Sequence, residues 1–238
     1  MVCRHRIFQT SHYRHQPTCM TTVSKFFFRV TNKSFQLSDA DFYFTIDKPS
    51  VAEYKDRGSR FIAYAYNIET TTDFKDRLAD LKKEHPKATH HCFAYRLGLD
   101  KNNFRVSDNG EPSGTAGRPI LGQIDSKELT NVVVFVVRYF GGTLLGVPGL
   151  INAYKTAAAL ALQTTAIIQK PVTVNYSLQF DYTQLNTVLA IIKQYKCTIL
   201  KQDLQLFCIL DISIARKSEE EVIKKLNDTR AVTVTKLP

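Results

Sequence analysis

The sequence contains no tryptophan, only two methionines and no long apolar run. No unbroken apolar run is longer than Val132–Val137, whose six residues are too few to cross ~30 Å of hydrocarbon. The five cysteines are odd in number and form no CxxC pair, which argues against a zinc ribbon or a disulfide framework. The N-terminus has no apolar stretch of secretory length. We therefore expect a cytoplasmic protein without a membrane partner.

Acidic residues are missing before Asp39, and glycine is missing after Gly149. Residues 1–45 are predicted to be a leader, either a disordered transit-like segment or an over-extended start with the true start near Met20. The loss of glycine predicts a second boundary near Lys170–Pro171. We therefore expect one domain over 46–169 and another over 170–238.

The chain is strongly basic, with a formal charge of +10 and a pI of about 9.4. Such a charge attracts polyanions, which include nucleic acid, the ribosome and acidic membrane surfaces. The alternative is that the charge serves only solubility. The excess of basic over acidic residues lies in the first 50 and the last 88 residues, so charge alone does not identify a binding surface.

Residue periodicity predicts a mixed α+β fold. In the first domain we expect a helix with Thr72 as its N-cap, a loop over 141–149, and these further elements: strands 59–68, 91–97, 104–107 and 131–139, a short helix ending near Ile124, and a long helix over 150–168. In the second domain the predicted order is β-α-β-β-α-β, which is typical of ferredoxin-like domains, with a turn at 201–203. The second domain shows no pattern of catalytic or ligand-binding residues.

A glycine-rich segment over 108–120 is the first candidate site. Gly114 and Gly117 could direct backbone N–H groups at an anion, and Arg118 could bind a phosphate. The alternative is a tight loop that only reverses the chain. The segment matches neither nucleotide-binding glycine pattern, so nucleotide hydrolysis has no support.

The second candidate follows the buried strand that ends at Arg138 and Tyr139. Arg138 could bind a phosphate and Tyr139 could stack on a base, beside the flexible pair Gly141 and Gly142. The alternative is that Phe140 belongs to the core and that Arg138 forms an ion pair with Asp108 or Glu111.

The run His90-His91-Cys92 could indicate a metal site or a nucleophile. Adjacent strand residues point to opposite faces, so the two histidines cannot serve one site, and Cys92 is expected to be buried. A hydrolase that uses His90 or His91 with Asp108 or Glu111 remains an alternative. No metal and no cofactor are predicted.

Four blocks together resemble the YigZ/Impact protein family, in its bacterial two-domain form. They read KDRGSRFIA (55–63), HPKATHHCFAYR (85–96), DNGEPSGTAGRPIL (108–121) and VVFVVRYFGGTLLGVPGLINAYKTAA (133–158). The resemblance is strong over about residues 52–165 and excludes residues 1–45. The positions that match are Arg60, His90, His91, Asp108, Glu111, Gly114, Gly117, Arg118, Arg138, Tyr139, Gly141, Gly142, Gly146 and Lys155.

The resemblance implies a first domain with the β/α fold of a ribosomal-protein domain and of elongation factor G domain IV. It implies a second domain like elongation factor G domain V. Eukaryotic relatives regulate translation under amino-acid starvation through an additional N-terminal domain that this sequence does not show. For the bacterial type the resemblance implies RNA or ribosome binding, and no established reaction.

These observations lead to three hypotheses. The first is a non-enzymatic RNA- or ribosome-binding protein that affects translation; the others are a hydrolase and a protein–protein interaction module. The predicted nucleic-acid or anion-binding residues are Arg60, Gly114, Gly117, Arg118, Arg138, Tyr139, Gly141, Gly142 and Lys155. A possible polar cleft comprises His90, His91, Asp108 and Glu111, and no residue is assigned a catalytic role.

Overall fold

The computed structural model describes residues 40–237, which form a two-domain, mixed α/β protein. Residues 1–39 of the predicted leader therefore lie outside the described residues. The strands are β1 (Phe42–Ile46), β2 (Ser50–Asp56), β3 (Ser59–Asn67), β4 (His90–Arg96), β5 (Phe104–Ser107), β6 (Val132–Tyr139), β7 (Ile167–Pro171), β8 (Thr173–Asp181), β9 (Thr198–Leu204), β10 (Phe207–Ala215) and β11 (Val232–Lys236). The helices are α1 (Thr71–Glu84), α2 (Gly117–Ser126), α3 (Gly146–Gln163), α4 (Leu185–Gln194) and α5 (Glu219–Asn227).

The first domain is built on a five-stranded antiparallel sheet in the order β2-β3-β6-β4-β5. Helix α1 packs on one face of this sheet, while α2 and α3 pack on the other. Side chains alternate between the two faces, so Phe61 points towards α2 and α3 and Tyr64 towards α1. The central strand β6 is covered on both faces, which explains its continuous run of β-branched residues.

Helix α1 begins slightly earlier than predicted. Its N-cap is Thr70, not Thr72: the Thr70 hydroxyl accepts a hydrogen bond from the Asp73 N–H at 3.1 Å. The Asp73 carboxylate in turn accepts the backbone N–H of Thr70 at 2.9 Å. The two bonds form a capping box, which Thr72 could not have formed.

Helix α3 starts at Gly146, inside the segment predicted to be a loop, and ends at Gln163. Pro148 is tolerated because the first turn of a helix needs no N–H donor there. The helix stops short of the predicted end at 168 because Ile167–Pro171 forms β7, which pairs antiparallel with β1. These two strands cross the predicted boundaries at 45 and 169.

The second domain has the predicted order β-α-β-β-α-β, with strands arranged β11-β8-β10-β9 in one antiparallel sheet. Helices α4 and α5 cover one face of it. The turn between β9 and β10 lies at Gln205 and Leu206, so its predicted position at 201–203 was wrong. Lys201 and Asp203 were misleading because they belong to an exposed edge strand, where charges are normal. No helix in residues 40–237 is long and apolar enough to span a membrane.

Candidate functional site

A buried ion pair lies at the end of β6. Arg138 Nη1 is 2.6 Å from Glu111 Oε1, and both side chains are almost fully buried. The guanidinium also lies over the rings of Phe61 and Phe140, at 5.3 and 5.6 Å from their centroids. Its Nη2 donates to the Ser59 hydroxyl at 3.4 Å, while its Nε has no hydrogen-bond partner among residues 40–237. The predicted alternative for Arg138, a pair with Glu111, is the arrangement observed.

Helix α3 adds Tyr154 to this ion pair. The Tyr154 hydroxyl donates to Glu111 Oε1 at 2.8 Å and accepts from the Cys92 thiol at 3.4 Å. Burial raises the pKa of Cys92 to about 12 and raises the pKa of Tyr154 as well. Cys92 is therefore a protonated core residue at neutral pH, as the sequence predicted, and it cannot act as a thiolate nucleophile.

The two histidines lie on opposite faces of β4. His90 is paired in register with Arg138, and its Nε2 is 3.7 Å from Glu111 Oε1. Its Nδ1 is 2.8 Å from the Asn109 carbonyl oxygen, so Nδ1 carries the hydrogen. His91 faces the α1 side, and its pKa is lowered chiefly by burial. Only His90 therefore belongs to the predicted cleft.

Asp108 organises the glycine-rich loop from within. Its carboxylate accepts the backbone N–H groups of Gly114 at 2.8 Å, Ala116 at 2.9 Å and Gly117 at 2.8 Å. Burial alone would raise the pKa of Asp108, but these three bonds outweigh it and the pKa is lowered. The N–H groups that could have bound an external anion are thus directed at an internal carboxylate.

An apolar groove opens above the ion pair. Its walls are Phe140, Leu144, Val147 and Leu150, its floor is His90, Glu111 and Arg138, and its volume is about 350 Å³. Leu144 is 82% exposed, and Phe140 and Val147 are about half exposed. The alternative in which Phe140 belongs to the core is therefore wrong for Phe140. Because the two floor charges neutralise each other, the groove suits an apolar group better than an anion.

The remaining predicted residues do not converge on this groove. Arg60 and Tyr139 are paired in register, with the guanidinium 5.8 Å from the ring centroid, on the opposite face of the sheet from Arg138. Arg60 is already bound to Glu53 at 2.9 Å. Arg60 and Arg138 therefore cannot contact one ligand side by side.

The double glycine has a packing role. The loop after β6 touches the turn between β2 and β3 so closely that a Cβ on Gly141 would lie 1.9 Å from the carbonyl carbon of Gly58. Gly142 has a positive φ of 83°. The close approach of two backbones accounts for Gly141 without any ligand.

Two predicted cations remain exposed. Arg118 lies in the first turn of α2, and Lys155 lies on α3, so both belong to the helical layer that borders the groove. Neither takes part in an ion pair among residues 40–237, although Arg118 is close enough to Asp108 to contribute to its lowered pKa. The same range contains no group of three residues able to hold a metal ion.

Sequence patterns did not reveal Tyr154, Ser59 or the groove walls as parts of one site. Tyr154 lies in an Ala-rich helix, where a tyrosine signals a hydroxyl that needs a buried partner. Val147 and Ile151 are four residues apart and both exposed, so a predicted helix that began at Gly146 would have shown an exposed apolar stripe.

Comparison with known proteins places the chain in a family. Residues 57–162 match the Impact N-terminal domain, which includes every residue of the groove. The chain is 36% identical over 180 residues to an IMPACT family member of Haemophilus influenzae, covering 75% of this chain and 87% of that protein. It is 35% identical over 172 residues to the IMPACT family member YigZ of Escherichia coli, covering 71% and 84%. The chain belongs to the IMPACT family.

A solved structure described as a crystal structure of a hypothetical protein is also similar. It is 30% identical in sequence, has a TM-score of 0.67, and covers 84% of this chain and 98% of its own. The similarity therefore extends beyond the matched domain to most of the chain, including the second sheet.

Proposed function

We propose that this protein is a cytoplasmic, non-enzymatic factor that binds RNA or the ribosome and affects translation. The proposal draws on membership of the IMPACT family and on a formal charge of +10. It includes the expected likeness of the two domains to domains IV and V of elongation factor G. Free Cys92, Cys197 and Cys208 are consistent with a reducing compartment.

The observation that carries the proposal is the pair of exposed cations on the helical layer. Arg118 and Lys155 keep their charges available, whereas Arg138 and Arg60 are neutralised by Glu111 and Glu53. A phosphate backbone is recognised by exposed cations, each of which releases counterions on binding. The binding surface we propose is therefore the outer side of α2 and α3, rather than the N–H groups of the glycine loop.

Catalysis gains no support from the geometry. The Glu111 carboxylate is already bonded to Arg138 and Tyr154, and its distance of 3.7 Å from His90 exceeds hydrogen-bond reach. Asp108 is occupied by three backbone N–H groups. The hydrolase alternative would need a free carboxylate beside an imidazole, which this cluster does not offer.

The test is a salt titration of binding to structured RNA, single-stranded RNA and purified ribosomes. Arg118→Gln and Lys155→Gln should each weaken binding alike for all sequences and reduce the salt slope by about one, because each removes a cation that neutralises one phosphate. Lys75→Gln is the matched control, because Lys75 is also exposed but lies on α1, across the sheet. Equal effects of all three substitutions would contradict the proposed surface.

The groove favours a second candidate, a protein–protein interaction module. Its exposed walls, Phe140, Leu144 and Val147, form an apolar surface of the kind that partner proteins cover. Leu144→Asp would discriminate the two functions. If it abolishes ribosome binding while free RNA binding is unchanged, the contact is with a protein; if neither changes, the groove is not used.

A further inference from the structure

The second domain exposes a sheet edge that the proposed function does not use. Strand β9 is the last strand in the order β11-β8-β10-β9, and every one of its residues is exposed. Edge strands present unpaired N–H and C=O groups to any chain that can add a strand. This edge is therefore able to pair with another strand unless its side chains prevent it.

The surface around β9 is unusually apolar. Phe207, at the start of β10, is 70% exposed, and Leu206, in the turn, is 78% exposed. Six large apolar side chains are exposed within eleven positions, namely Ile199, Leu200, Leu204, Leu206, Phe207 and Ile209. Exposed apolar side chains in this number along one sheet edge are typical of an interaction site.

The charges on β9 are arranged in a self-complementary way. Lys201 and Asp203 are two residues apart, so both point to the helix-free face, where they lie opposite Asp211 and Ile209 of β10. Neither forms an ion pair within residues 40–237. Leu204 points to the helix side, and Leu200 lies at the position where the β9–β10 register shifts by one residue.

Two copies of β9 can pair antiparallel about a two-fold axis perpendicular to the sheet. Two residues that lie directly opposite each other must then point to the same face of the sheet. Because side chains alternate between the faces along a strand, the register can shift only by two residues at a time. With Gln202 opposite its own copy, Lys201 faces Asp203 of the second copy on the helix-free face. The neighbouring registers would place Lys201 opposite Lys201, or Asp203 opposite Asp203, and like charges directly opposed are unfavourable.

We propose that β9 is a self-association edge, through which a second copy of this chain extends the sheet into a continuous eight-stranded one, centred on Gln202. The occupant is a second copy because the edge carries its own complement: Lys201 of each copy faces Asp203 of the other, which gives two opposite-charge pairs across the interface. The exposed Leu206 and Phe207 flank the paired segment and add apolar contact. The interface is isologous, as expected for a closed dimer.

The experiment is sedimentation velocity on the full chain over a concentration series, with charge-reversal variants. Lys201→Asp places acidic residues opposite each other, and Asp203→Lys places lysines opposite each other. Each variant alone should raise the dimer dissociation constant at least about tenfold. Mixed one to one, the two variants should form a heterodimer, because each lysine again faces an aspartate. The double variant Lys201→Asp/Asp203→Lys should dimerise like the original chain.

Lys193→Asp is the matched control, since Lys193 is exposed on α4, and it should leave association unchanged. Circular dichroism should show that all variants remain folded. Three outcomes would overturn the proposal: an original chain that stays monomeric throughout the series, single variants that associate as strongly as the original, or a mixture that does not recover the dimer.

Discussion

Neutralising Glu111 should destabilise the first domain more than any other single isosteric change at the site. Glu111→Gln keeps the side-chain shape and can still accept the Tyr154 hydroxyl, but it leaves the buried Arg138 guanidinium without its counter-charge. Removing one partner of a buried pair typically costs about 3–5 kcal/mol. The flanking rings of Phe61 and Phe140 offset part of this, by about 0.5–2 kcal/mol. We expect a net decrease of about 1–4.5 kcal/mol in the free energy of unfolding.

The assay is native-state hydrogen exchange in increasing urea, read on peptides that cover β6. Peptides from β8 to β11 serve as the internal control, because the two domains have separate cores. Adding Arg138→Met to Glu111→Gln should recover most of the stability, since the uncompensated charge is then gone. A decrease below about 1 kcal/mol for Glu111→Gln, or no recovery in the double variant, would show that the buried Arg138 guanidinium does not need its counter-charge.

Three further predictions concern single residues of the first domain. Asp108→Asn should destabilise the first domain. Because the folded pKa of Asp108 is lowered, the stability that the original carboxylate contributes should be complete above a pH of about 4 and should vanish as the pH falls through the lowered pKa. Denaturation of both proteins at several pH values measures this difference in stability. Gly141→Ala should destabilise the first domain strongly, because the added Cβ would clash with the backbone of Gly58. Gly122→Ala should instead stabilise the domain by up to about 1 kcal/mol, because Gly122 lies in the middle of α2 with open space around its Cβ. A urea titration measures both changes. Cys92 should resist alkylation at neutral pH until the domain unfolds, and labelling of the folded chain at Cys92 would contradict its burial and raised pKa.

Sequence patterns predicted the elements whose burial is one-sided or complete. Strand β3 was predicted from apolar residues with a period of two, strand β6 from a continuous apolar run, and helix α4 from apolar residues with a period of about 3.6. Strand β2 was missed because it is an edge strand whose outer positions carry Glu53 and Lys55. The start of α3 was missed because Gly146 and Pro148 are usually read as loop residues.

The residues of the buried ion pair were among those singled out from the sequence, whereas Tyr154, Ser59 and the arrangement of the cluster were not. The alternation rule correctly separated His90 from His91, and the Arg138–Glu111 pair was among the alternatives that the sequence left open. The sequence could not show that Asp108 occupies the glycine-loop N–H groups, because that contact depends on how the loop folds back. Nor could it show that Arg60 and Arg138 lie on opposite faces, since this requires the register of β3 against β6.

The most direct test of the proposed function is ribosome binding as a function of salt, with Arg118→Gln compared with Lys75→Gln. We expect ribosome binding to fall steeply as salt rises, Arg118→Gln to lower both the affinity and the salt slope, and Lys75→Gln to change neither. If the original chain binds neither ribosomes nor RNA at low salt, or if its binding is independent of salt, the proposed function is wrong.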